Sequence, residues 1–221
     1  MARKIIGAAF VSLDGVMQAP GAIEEDRSGG FAHGGWLAPV GDEALEAAIG
    51  AIFDGSFDLL LGRRTFEIFA AYWPFMPLDN PIAAKFAAVR KYVVSGSDLA
   101  LPWEGSERLG NIDAVAAVKA GDGPDLVIQG SSTLYPQLLA RGLIDRLVLM
   151  TAPVVLGTGK RLLGNGTPAL TLKLVDEATG SAGMRIATYE PAGPVRTAPA
   201  GPELVSEPEL ARRARVAEGT W

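Results

Sequence analysis

Three short bends hold the residues of this chain best suited to chemistry: Gln129-Gly130-Ser131-Ser132, Gly62-Arg63-Arg64-Thr65 and Ser95-Gly96-Ser97. Each follows a short apolar run and joins a glycine to hydroxyl or guanidinium side chains. Glycine permits a sharp bend, and small neighbours leave the unpaired N–H groups at the start of a helix open to an anion, typically a phosphate. Arg63 and Arg64 would add charge-assisted, bidentate donors. Taken singly, each bend is equally an ordinary strand-to-helix connection, with Ser131 and Ser132 as helix caps and the arginines solvated.

The elements that position these bends read as an α/β pattern. Leu126-Val127-Ile128 is short, unbroken and apolar, as expected of a strand buried on both faces. Leu134, Leu138 and Leu139 share a helical stripe that ends at Gly142, and Leu147-Val148-Leu149-Met150 is the next strand. Strand, tight turn, helix, strand is a βαβ unit of a parallel sheet. Earlier in the chain, strands are expected at Ile5–Val11, Phe57–Leu61 and Lys91–Val94, with an edge segment at Glu107–Leu109. Helices are expected over 41–53, 66–72, 82–89 and 112–120. The alternating segments 169–175 and 184–189 suit an antiparallel pair. Residues 14–36 form a long glycine-rich loop without a pattern of its own, a candidate lid or a solvated insertion. Residues 1–191 thus make one domain; 192–221 comprise a Pro/Ala/Gly-rich linker and a final helix capped by Ser206, outside the core.

Composition narrows the function classes. Hydrophobic residues make up 48% and charged residues 20%, as in an ordinary globular chain. No run is long enough to cross a membrane, and no charged-then-apolar leader opens the sequence, so a cytoplasmic protein is expected. Zero cysteines exclude disulfide and thiol chemistry, and a single histidine argues against a zinc site. A formal net charge of −5 without a basic stripe argues against nucleic acid as a partner. In open α/β sheets ligands bind outside the carboxyl ends of the strands, where all three bends fall. An extended, multiply phosphorylated ligand such as a dinucleotide could touch all three, although the usual GxGxxG fingerprint is missing.

Together with Ala8-Ala9-Phe10-Val11-Ser12-Leu13-Asp14-Gly15 and Ala152-Pro153-Val154-Val155-Leu156-Gly157-Thr158-Gly159-Lys160, these bends resemble the motifs of dihydrofolate reductase-like proteins. The resemblance is nearest to the branch holding the reductase domain of bacterial riboflavin biosynthesis and its stand-alone relatives, and covers about residues 3 to 190. It implies a mainly parallel sheet of about eight strands flanked by helices, an antiparallel C-terminal strand pair, and NADPH as hydride donor. By the same resemblance, Ala8 and Ala9 face the nicotinamide through their backbone, and Asp14, Gly15 and Val16 begin the loop over the ring. Gly62, Arg63, Arg64 and Thr65 hold the pyrophosphate and the adenosine 2′-phosphate, with Ser95 and Ser97 beside that phosphate. Gln129, Gly130, Ser131 and Ser132 approach the pyrophosphate from the other side, and Tyr135 lies by the nicotinamide ribose.

The resemblance also calls for a carboxylate on the first long helix, and the spacing from Gly62 places Glu46 there, with Asp42 and Glu43 as alternatives. In an apolar cleft such a group has a raised pKa suited to proton transfer; on the outer face it is an exposed helix glutamate. Asp14 is the second catalytic candidate, either binding substrate or capping its loop. Lys160 meets a substrate phosphate or is a surface lysine. Phe31 and Trp36 either stack on a flat heterocycle or close the loop against the core, and His33 is expected in solvent. The expected activity is an NADPH-dependent reduction of a small heterocyclic (pterin- or aminouracil-like) or carbonyl-type substrate by a homodimer. The alternative is a non-catalytic NADP(H)- or nucleotide-binding module of the same fold. No metal is expected.

Overall fold

The computed structural model describes residues 3–201 and 205–220. Its eight-stranded sheet comprises β1 (Ile5–Ser12), β2 (Phe57–Gly62), β3 (Lys91–Val94), β4 (Ser106–Leu109), β5 (Asp125–Gln129), β6 (Arg146–Ala152), β7 (Leu172–Thr179) and β8 (Arg185–Pro191). The order across the sheet is β4-β3-β2-β5-β1-β6-β8-β7. Strands β1 to β6 run parallel, and β8 and β7 close the sheet as an antiparallel pair. The helices are α1 (Glu43–Ile52), α2 (Arg63–Ala70), α3 (Pro81–Ala88), α4 (Ile112–Ala120), α5 (Leu134–Ala140) and α6 (Glu207–Ala217). The fold class expected from the sequence is the one found. None of the helices among the described residues is long and apolar enough to cross a membrane.

Alternation along the buried strands divides the core between two faces. Leu59, Leu61 and Val127 pack beneath α1, α2 and α3 with Leu45, Phe66 and Phe86. Leu60, Leu126 and Ile128 pack beneath α4 and α5 with Val115, Leu134 and Leu138. Each such side chain, once fully buried, contributes roughly 1.5–3 kcal/mol. Helix starts are fixed by side-chain caps: Asp42 accepts from Ala44 N and Leu45 N, Asn80 from Ile82 N and Ala83 N, and Asn111 from Ala114 N. At the amino ends of the strands, Arg3 is buried against Asp58 and donates to Pro124 O at 2.6 Å, so the carboxylate is compensated.

Three expectations shift. Helix α2 begins at Arg63, not Phe66, because Gly62 ends β2 in extended backbone and the helix starts at the next residue. Strand β7 lies at 172–179, later than the expected 169–175; a register shift between Leu174 and Asp176 breaks the alternation that locates a strand. The 14–36 loop is packed against the core and is not a solvated insertion. Val16, Met17, Phe31 and Trp36 are buried, Trp36 Nε1 donates to Gln18 O at 2.8 Å, and Gln18 Nε2 reaches Asp26 O and Ser28 O. Phe31 and Trp36 therefore close the loop against the core, while His33 is exposed with its ring edge-on to Phe31. Helix α6 lies on the surface with no buried residue. Of the expected linker, Pro202 lies outside the described residues.

Candidate functional site

Because β1, β2, β3, β5 and β6 are parallel, their carboxyl ends share one edge of the sheet, and two of the bends there are joined. Ser131 Oγ accepts the Gly62 N–H at 2.7 Å and donates to Thr65 Oγ1 at 3.0 Å. Gly130 has φ +73°, and a Cβ there would stand 3.0 Å from Thr65 Cγ2, so only glycine lets the bends approach this closely. The third bend adjoins them, since Val94 is the register partner of Gly62. Thr65, Ser95 and Ser131 thus lie at one end of the sheet.

The joined bends offer donors to an anion. Helix α2 has no side-chain cap, which leaves its first-turn N–H groups without a side-chain acceptor. Arg63 and Arg64 are exposed; Arg63 lies 3.7 Å from Glu67, and Arg64 makes no ion pair among the described residues. Ser132 is half-buried at the bend. Two expected donors are already engaged. The Ser131 hydroxyl binds the bends to each other, and the Ser95 hydroxyl turns back to Ser97 O at 2.8 Å. Sequence reasoning passed over Arg108, which reaches Ser95 O at 3.3 Å and Asp98 at 3.2 Å. Only the parallel register of β4 beside β3 brings it there.

The order of the elements sets a switch point between β1 and β5. The chain leaves β1 towards α1 on one face and leaves β5 towards α5 on the other, the arrangement that separates neighbouring strands at their ends. The β1–β5 register ends at Ala8 and Gln129, while β1 continues beside β6 to Ser12. Ile5 turns its N–H and C=O towards β6, bonding Asp145 at 2.7 and 2.9 Å. Strand alternation then turns the backbone of Ala9 to β6 and that of Ala8 to β5. Of the two expected alanines, Ala8 thus presents its backbone on the β5 side and Ala9 on the β6 side.

Two other residues of the expected site are buried. Tyr135 is fully buried beneath β1, its hydroxyl between Ala8 O at 3.5 Å and Ile128 O at 3.4 Å, and burial pushes its phenol far above the ordinary value. A Cβ on Gly7 would lie 2.5 Å from the Tyr135 ring, so this tyrosine packs against the β1 backbone and supports the strands. Val16 is buried as well, its N–H bound to Ser12 Oγ at 2.9 Å, while Gly15 N donates to Ser12 O at 2.9 Å.

The carboxylates are mostly committed to structure. Asp14 accepts from Ser12 Oγ at 2.7 Å, Leu156 N at 3.0 Å and Gly157 N at 2.9 Å, and it faces Arg161. The Ser12 hydroxyl and then the Leu156 N–H hold its pKa at about 2, so it is an ionised loop clamp and a poor proton donor. Asp42 caps α1 and accepts from Ala182 N at 3.0 Å, and Glu43 binds Ser181 N and Oγ at 2.8 and 2.6 Å. Glu46 is exposed, not enclosed in an apolar cleft, although its helix covers the same face as Val127. Lys160 is held by Asp26 and by Ser28 Oγ at 2.7 Å, which leaves it little freedom to meet a substrate. Among the described residues no group of acidic or histidine side chains is arranged to hold a metal.

The sequence from residue 3 to 186 matches the family described as RibD C-terminal domain. The chain belongs to the RibD C-terminal domain family. The matched stretch stops short of α6, so that helix lies outside the family region. Uncharacterized protein YyaP of Bacillus subtilis (strain 168) is 29% identical over 132 residues, 57% of this chain and 69% of that protein. A putative riboflavin biosynthesis protein from Shewanella sp. PV-4 superposes with a TM-score of 0.64 at 21% identity, over 87% of this chain and 99% of its own. A pyrimidine reductase-like protein from Corynebacterium diphtheriae gives 0.54 at 13% identity, over 86% and 92%. Dihydrofolate reductase from Enterococcus faecalis, complexed with NADP(H) and RAB-propyl, gives 0.54 at 16% identity, over 86% and 99%. At these identities the structures share the fold alone.

Proposed function

We propose that this RibD C-terminal domain protein is an NADPH-dependent reductase of a small heterocyclic, pterin- or aminouracil-like, or carbonyl-type substrate. The observation that carries the reading is the joining of the Gly62–Thr65 and Gly130–Ser131 bends by Ser131 Oγ, beside two exposed arginines. The site fits a phosphorylated dinucleotide. Gly130 leaves room for close backbone approach, the first turn of α2 supplies N–H donors, and Arg63 and Arg64 suit a further phosphate. When bound, NADPH would supply the hydride. The protein's part would be to hold the phosphates, to present the Ala8 backbone at the switch point, and to keep the Asp14 clamp ionised so that the 156–157 turn stays in place. Glu46, on the helix over this face, is the carboxylate left to pass a proton, through water because it is exposed.

That exposure favours a second reading, a non-catalytic NADP(H)-binding module that lacks an enclosed acid. Arg63→Ala separates the two. In a reductase, NADPH preference and turnover with dihydrofolate or an aminouracil ribitol compound fall together, whereas a module binds NADPH and turns over neither. Protein that ignores both NADPH and the substitution defeats both readings. A cytoplasmic homodimer belongs to the same proposal, with exposed Leu174 and Val175 on edge strand β7 as apolar surface for a second copy. A monomer mass in sedimentation equilibrium would remove the dimer.

A further inference from the structure

At the β1–β5 switch point lies one buried polar group that no contact among the described residues accounts for. Gln129 ends β5 and is 7% exposed, and its carboxamide oxygen is buried without a hydrogen-bond partner. Such orphaned acceptors are uncommon in folded proteins and cost free energy while they stay unpaired. Alternation along β5 turns Leu126 and Ile128 towards α4 and α5, and Val127 and Gln129 towards α1 and α2. On that face the neighbours in register are Ala8 on β1 and, continuing the β2 ladder, Leu61; neither side chain carries a donor. Immediately beyond the Ala8–Gln129 pair the two strands part.

The charges along this edge would orient a bound dinucleotide. Arg63, Arg64 and Arg108 all belong to the β2–β4 side, where a phosphorylated ribose is matched. The opposite nucleoside then extends across β5 towards β1, past Gln129. We propose that Gln129 determines specificity for the reactive end of the cofactor, its carboxamide oxygen accepting an N–H from the nicotinamide carboxamide. This assignment rests on the NADP(H) reading above and adds to it a side-chain acceptor for one ring substituent.

The probe is the acetylpyridine analogue of NADPH, in which a methyl ketone replaces the carboxamide. The carbonyl is kept and the N–H is lost. Dissociation constants for NADPH and for the analogue are measured by calorimetry with the wild-type protein and with Gln129→Met, which keeps the side-chain volume but has no amide acceptor. The wild type is expected to bind NADPH about tenfold more tightly than the analogue, the value of one hydrogen bond. In Gln129→Met the two ligands should bind about equally. The cofactor-free variant should melt no lower than the wild type, because it has lost an unpaired acceptor.

Equal binding of the two ligands by the wild type overturns the assignment, and so does discrimination that persists in Gln129→Met. A variant that keeps the discrimination but raises KM for a heterocyclic substrate places the acceptor against the substrate and also overturns it. Wild-type protein that binds no NADPH defeats the cofactor reading and this inference together. Binding without discrimination defeats this inference alone. The wild-type comparison needs no variant, so a poorly folding Gln129→Met does not remove the test.

Discussion

Ser131 is the residue on which the joined bends depend, and its stability effects can be worked out in advance. It has φ +70°, a left-handed conformation that costs a side-chain-bearing residue about 1–2 kcal/mol. Its hydroxyl holds both Gly62 N–H and Thr65 Oγ1. Ser131→Ala keeps the strained Cβ and leaves the buried Gly62 N–H without an acceptor, at a cost of about 1–3 kcal/mol. For a domain of this size each kcal/mol lowers Tm by about 2–4 °C, so the alanine variant should melt about 2–12 °C below the wild type. Ser131→Gly loses the same hydrogen bonds but releases the strain, partly offset by about 0.5–1 kcal/mol of added unfolded-chain entropy. The net gain is up to about 1.5 kcal/mol, so it should melt above the alanine variant by up to about 6 °C. Differential scanning calorimetry of the three proteins decides the order. A glycine variant that melts at or below the alanine variant would refute the strained, hydrogen-bonded bend.

Two further outcomes test buried polar groups of the core. Lys91 is buried, with Nζ donating to Ala87 O at 3.1 Å and Glu104 O at 3.0 Å and lying 4.5 Å from the Trp103 ring. Burial pushes its ammonium down to about 8, whereas the unfolded lysine keeps its proton to about 10.4. Between these values the unfolded chain binds more protons, so the stability that depends on Lys91 rises as pH increases through this window. Urea unfolding across it should show a shallower rise for Lys91→Met than for the wild type; parallel profiles would contradict the shift. Tyr135→Phe removes only two long hydrogen bonds, so it should lower stability by about 1 kcal/mol or less and leave NADPH affinity unchanged. A tenfold loss of affinity would place that hydroxyl at the ligand.

The parallel core was legible because Leu59 to Leu61 and Leu126 to Ile128 are unbroken apolar runs, the pattern of strands covered on both faces. The bends were legible as glycine-bearing strand ends. The use of each side chain at those bends was not, since it is set by partners far along the chain. Tyr135 is drawn inward by the missing side chain of Gly7, and Asp14 is spent on amides 142 and 143 residues away. The 14–36 loop has no periodicity because it is built from cross-links, Gln18 to Trp36 and to Lys160, that no local pattern announces. Strand β7 was displaced in the reading because its bulge and its acidic pair, Asp176 and Glu177, interrupt the alternation at an edge where charge is tolerated.

The proposal that three strand-end bends form one cradle for a 2′-phosphorylated dinucleotide cofactor is tested most directly by titrating the folded protein with NADPH and with NADH. Saturable NADPH binding, tighter than NADH by about tenfold or more and levelled in the Arg63→Ala/Arg64→Ala double variant, is the predicted result. Binding of neither nucleotide, or equal affinity for both in the wild type, would contradict it.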